Sequence, residues 1–68
     1  MKEFIEVDTV NGGAATIAVS SVAAVEKHYT GSRIILKEKI EGSDNNVVIL
    51  SIFDPYFISG LIKKAQEQ

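Results

Sequence analysis

Apolar and polar residues alternate with a period of two along most of this chain, and that period predicts strands. Residues 2–10 place Ile5 and Val7 on one face and Glu6 and Asp8 on the other, with Phe4 and Val10 sharing the second face. Asn11-Gly12-Gly13 follows, a turn signal because Asn and Gly tolerate positive φ. Residues 14–19 then suit a second strand, with Ala15, Ile17 and Val19 on one face, so the first two strands form a hairpin. Residues 33–40 alternate Ile34, Leu36 and Ile40 against Arg33, Lys37 and Lys39, with Ile35 on the charged face. Residues 47–53 are β-branched or aromatic at most positions and make the strongest strand signal in the chain. A polar loop at Gly42–Asn46 separates these two strands.

Ser20–Tyr29 reads two ways. A serine cap followed by Val22, Val25 and Tyr29 fits one helical stripe. The preferred reading is a short turn at 20–23 and a strand at 24–29, because Thr30-Gly31-Ser32 resembles a hairpin connection.

The pattern changes to a helical one after Asp54-Pro55. The Asp54 side chain is placed to accept from the N–H of Tyr56 or Phe57, and Pro55 suits the first helical position, where its missing N–H costs nothing. Phe57, Ile58, Leu61, Ile62 and Ala65 then recur on one stripe of a helix over 55–66, and Lys63 and Lys64 favour its negative end. Gly60 inside that helix reads equally as a point of close approach or as drift. The expected fold is α+β, a single domain over residues 1–68. It is a small, curved antiparallel sheet of four to five strands, SH3-like or half-barrel in style, with one C-terminal helix.

One helix covers one face of such a sheet, and the other face should then be polar. It is not: Val47, Ile49 and Phe53 point one way in the last strand, while Val48, Leu50 and Ile52 point the other. Two-sided apolar strands call for cover on both faces. The expected cover is a second copy of the chain, with a closed barrel-like monomer or a place in a hetero-complex as alternatives. The candidate interface is Ile35, Val48, Leu50, Ile52, Tyr56 and Phe57, whereas Asp54 and Pro55 read as a structural helix cap.

Length strengthens that expectation. A 68-residue chain buries only about 60% of the surface its unfolded form exposes, so small domains lean on disulfides, metals or partners. The chain has no cysteine and one histidine, which excludes disulfides, zinc–thiolate centres and thiol catalysis. A net charge of −2 argues against a dedicated nucleic-acid or anionic-membrane binder. The N-terminal run is interrupted by charge at once, and the longest uncharged stretch, 9–25, is too polar for a membrane helix. The expectation is therefore a cytoplasmic protein with no membrane insertion.

The run Thr16-Ile17-Ala18-Val19-Ser20-Ser21-Val22-Ala23-Ala24-Val25-Glu26 resembles the I-x-V-x-x-I-x-x-V-E element of short bacterial domains of the FlbD flagellar type. Gly31-Ser32-Arg33-Ile34-Ile35-Leu36 is similar to the strand that comes next there, and residues 47–53 and 55–65 match the closing strand and helix in position. The chain departs from that pattern at Asp54-Pro55-Tyr56-Phe57, where the family has an acidic helix start, and in its longer loop at 41–46. The resemblance implies a small all-β or α+β interaction domain without enzymatic activity.

Candidate chemistry is sparse. His28 with Glu26 or Asp8 is an acid–base pair on paper, but no spacing completes a nucleophilic triad, and a surface histidine is the simpler reading. Asn11-Gly12-Gly13 lacks the lysine and following helix of a phosphate loop. Lys27, Arg33, Lys37 and Lys39 with Tyr29 form a candidate polyanion surface, opposed by Glu26, Glu38 and Glu41 in the same region. No cofactor, metal or small-molecule ligand is expected. The sequence therefore reads as a non-enzymatic, self-associating interaction module of a bacterial or phage cytoplasmic system. The alternative is a weak nucleic-acid-binding protein using the basic strand face.

Overall fold

A computed structural model describes residues 3–67. The chain order is β1 (Phe4–Asp8), β2 (Ala14–Ala18), a 3-10 turn at Val19–Ser21, β3 (Val22–His28), β4 (Gly31–Lys39), β5 (Asn46–Ser51) and α1 (Pro55–Gln66). Lys2, placed at the start of the first strand by its alternation, lies outside the described residues. The segment with two readings is a short turn followed by a strand, and it contains no α-helix.

The fold is α+β, but its five strands do not form one sheet. They fall into two antiparallel sheets, β1–β2 and β3–β4–β5, and the barrel is not closed. The physical reason lies in the contact between β1 and β5, which is too short to count as a ladder. It consists of a single bridge between Thr9 and Ser51, flanked by Val10 N–H donating to the Leu50 carbonyl and Ile52 N–H donating to the Asp8 carbonyl, both at 3.1 Å. The Ser51 hydroxyl adds a 2.7 Å bond to the Asp8 carbonyl. Two sheets are thus stitched at one point.

The β1–β2 hairpin closes through Thr9 N–H donating to the Gly13 carbonyl, with Gly12 at φ +90°. A three-residue loop ending in a left-handed glycine matches the twist of the two strands. Between β3 and β4 the connection is shorter than Thr30-Gly31-Ser32 suggests. Only Tyr29 and Thr30 lie outside the strands, and His28 pairs with Gly31. Gly31 belongs to β4 because it lies against β5: a Cβ there would collide with the Ser51 carbonyl oxygen and sit 3.0 Å from the Ile52 Cα. Ser32 follows it into the interior, where its hydroxyl donates to the Phe53 carbonyl at 2.6 Å.

The strand β4 outruns β3. Their last pair is Val22 with Leu36, and Lys37 to Ile40 continue into solvent. Ile40 is therefore exposed although its spacing groups it with Ile34 and Leu36. Opposite β5 the register slips between Ile35 and Lys39, which frees the Leu36 carbonyl, and the Asn46 side-chain amide donates to it at 2.7 Å. A bulge of this kind leaves polar groups that a side chain has to satisfy.

Ile5, Val7, Ile17, Ile34 and Ile58 form the buried core, with Leu36, Ile49, Phe53, Leu61 and Ile62 among the residues packed around it. The helix stripe is Ile58, Leu61, Ile62 and Ala65, whose spacing lays one face over the inner side of both sheets. Phe57 stands one position before the stripe begins and is 54% exposed, its ring meeting Phe53 edge-on at 4.9 Å. A Cβ at Gly60 would meet nothing within 4 Å, so this glycine serves no close approach.

Candidate interaction surface

Strand pairing fixes which side chains share the outer side of the three-stranded sheet. Directly opposed residues on antiparallel strands point to the same face. The row Val25–Ile34–Ile49 is inner, because those residues pack on the core. The neighbouring rows, Ala24–Ile35–Val48 and Glu26–Arg33–Leu50, therefore face outward. Ile52 follows Leu50 at the next outward position and is 53% exposed, and Val10 lies across the seam from Leu50. Four of the six interface residues expected from the sequence, Ile35, Val48, Leu50 and Ile52, are thus brought together on one face. Val10 joins them. It went unassigned because only the β1–β5 seam, between segments far apart in the chain, places it there.

Tyr56 and Phe57 do not join that patch. They occupy the first turn of α1, in the layer on the inner side, and Tyr56 is 90% exposed. Asp54 and Pro55 have the cap geometry their spacing suggests. Asp54 Oδ2 accepts from Tyr56 N–H at 3.0 Å, and Pro55 opens the helix.

The five residues of the polyanion candidate do not form one patch: Lys37 is exposed near the end of β4, while Lys27 and Tyr29 lie away from Arg33. Lys27 pairs with the buried, inward Ser32, so it lies on the opposite side of the sheet from Arg33, and its Nζ sits 3.2 Å from Asp54 Oδ1. The Arg33 Nε lies 3.9 Å from Glu26 Oε1 and is covered by its own surroundings. Lys39 donates to the Asp44 carbonyl at 3.0 Å and to the Asn46 side chain at 3.3 Å. Tyr29 is at the hairpin tip, 88% exposed and edge-on to His28.

Electrostatics single out one group. The Asp54 carboxyl is held below its ordinary value, first by the Tyr56 N–H it accepts and then by its bond to the Lys27 ammonium. Both causes are structural and neither points to proton transfer. Among the described residues no three His, Cys, Asp or Glu side chains converge to hold a metal ion. No helix among them is long and apolar enough to cross a membrane. The arrangement offers a surface: Ile35, Val48, Leu50, Ile52 and Val10 on one face, with Glu26 and Arg33 in the same outward rows. Comparison with known proteins places the chain beside none of them: no family model matches it, and neither does any curated protein or solved structure.

Proposed function

We propose that the chain is a non-enzymatic interaction module that associates with a second copy of itself through the outer face of its three-stranded sheet. The observation that carries this reading is the Ile35–Val48 pair, extended by Leu50, Ile52 and Val10, on the side that the helix leaves uncovered. Apolar rows of this kind favour burial at roughly 25 cal/mol per Å² removed from water.

The uncovered face is where a second copy would sit: Val48 is 37% and Ile52 53% exposed on it. Arg33 on the central strand and Glu26 beside it on β3 put both signs of charge within the face, so two copies related by a two-fold axis need not meet like charge with like.

Light scattering over a wide range of concentration tests the reading. The wild-type chain is expected to have at least twice the monomer mass at high concentration. The double variant Val48→Glu with Ile52→Glu should lose association through this face, with a lower mass and an unchanged circular dichroism spectrum. A wild-type chain that stays monomeric throughout overturns the proposal. Lys37→Glu with Lys39→Glu should leave the mass unaltered. Salt-sensitive binding of the wild type to a polyanion, lost in that variant while the chain stays monomeric, would replace this reading with a nucleic-acid-binding one.

A further inference from the structure

The strand β2 ends its sheet, and its free edge has a defined set of unpaired main-chain groups. Val19 N–H donates to the Glu3 carbonyl and Thr9 N–H to the Gly13 carbonyl, both at 2.9 Å. With the register Ile5–Ile17 and Val7–Ala15, these bonds mark the odd-numbered residues of β2 as those bonded to β1. The main-chain groups of Ala14, Thr16 and Ala18 consequently point away from β1. The Ala18 carbonyl accepts the first bond of the 3-10 turn, which leaves the N–H groups of all three residues and the carbonyls of Ala14 and Thr16. Among the described residues none of these five groups has a partner on another element, and Ala14 and Thr16 are exposed.

The two outer edges are not alike. At β3 the edge carries Glu26 and Lys27 and a register irregularity between Val22 and Ala24, devices that keep foreign strands away. At β2 the sequence Ala14-Ala15-Thr16-Ile17-Ala18 has no charge, no proline and no register shift. Its outward side chains are small, so a neighbouring strand approaches without obstruction.

We infer that the β2 edge is a second self-association site, at which β2 of another copy pairs antiparallel about a two-fold axis through Thr16. The inference extends the proposed self-association to a different surface. The small, uncharged side chains and unshifted register of β2 suit an identical strand. About that axis Thr16 opposes Thr16 and Ala14 opposes Ala18. Each Thr16 N–H meets the other Thr16 carbonyl and each Ala18 N–H meets an Ala14 carbonyl, which makes four new main-chain bonds. Ala15 faces Ile17 on the inner side, so the two cores become continuous. An arbitrary extended peptide matches the backbone groups but not this symmetry.

The absence of cysteine from the chain makes the test direct. Opposed residues of a hydrogen-bonded antiparallel pair have Cα atoms about 5.5 Å apart, within disulfide range. Under mild oxidation Thr16→Cys should form a covalent dimer at least ten times faster than Thr30→Cys, which places the thiol at the exposed β3–β4 tip. An equimolar mixture of Ala14→Cys and Ala18→Cys should yield the mixed dimer over either homodimer. These paired variants keep the test valid if Thr16→Cys folds poorly. Equal rates for Thr16→Cys and Thr30→Cys, or a statistical mixture from Ala14→Cys and Ala18→Cys, overturn the inference. Both readings fall if light scattering shows a monomer and no crosslink forms. A dimer that Val48→Glu with Ile52→Glu abolishes, and that Thr16→Cys does not trap, removes the edge site and leaves the face.

Discussion

Lys27 and Asp54 meet through an ammonium–carboxylate contact of 3.2 Å, while the second oxygen of the same carboxylate accepts the N–H that opens α1. One side chain thereby ties the edge strand β3 to the start of the helix. Asp54 binds its proton less tightly in the folded chain than in the unfolded one. The unfolded state therefore takes up more protons as the solution is acidified through that interval, and folding is weakened there. The contribution is complete above the unfolded value and lost as pH falls through the folded one. Asp54→Asn preserves a good capping side chain and removes the charge. The stability gap between wild type and Asp54→Asn should be present near neutral pH and narrow below the ordinary carboxyl value of 3.8. Urea titrations at several pH values measure it, and a gap independent of pH would contradict the assignment.

Two glycines should respond to alanine in opposite directions. Gly31→Ala forces a Cβ into the Ser51 carbonyl, and the backbone of β5 has to move to admit it. A loss of about 1–3 kcal/mol or more is expected, as for other overpacked sites. Gly60→Ala adds a methyl group to open space within a helix and should gain about 1 kcal/mol. Chemical denaturation of the two single variants checks both signs.

Ser51→Ala deletes a buried hydroxyl that donates to the Asp8 carbonyl and accepts from Phe53 N–H at 3.0 Å. The stranded Phe53 N–H should cost about 1–3 kcal/mol. Hydrogen exchange of the Val10 and Ile52 amides, which form the seam, should accelerate more than that of Ile34 or Ile49 at the centre of the other sheet.

Tyr29 holds φ at +50° at the β3–β4 tip, a conformation that costs a non-glycine residue roughly 1–2 kcal/mol. Asn tolerates that region better than Tyr. Tyr29→Asn should therefore raise the unfolding midpoint by an amount equivalent to about 0.5–1 kcal/mol. A lower midpoint would show that the His28–Tyr29 ring contact outweighs the strain.

The parts of this fold that were legible are those written in local spacing. Alternation marks Ile5 and Val7, or Ile34 and Leu36, as inward pairs, and Asp54-Pro55 announces a helix whatever surrounds it. What stayed illegible depends on residues distant in the chain. Nothing near Asp8 or Ser51 indicates that β1 and β5 meet at one bridge rather than along a ladder, so alternation alone predicts one sheet where two are found. Gly31 looks like a turn residue until β5 is laid beside it. Val10 looks like an isolated hydrophobe until Leu50 arrives next to it. The dispersal of Lys27 from Arg33 is subtler. They lie on neighbouring strands, and the register that separates them depends on a two-residue connection where three residues were expected.

The single stitch between β1 and β5 also orders the folding reaction. The β1–β2 hairpin and the β3–β4–β5 meander each form from neighbours in the chain, so the loops they close are short. The Ser51–Asp8 bond spans 43 residues and carries a larger closure entropy. Its formation belongs to the late part of the reaction, after both hairpins exist. Until that moment the inward rows of the two sheets lie open together with the facing edges of β1 and β5. Copies that meet while those edges are open are prone to pair in the wrong register.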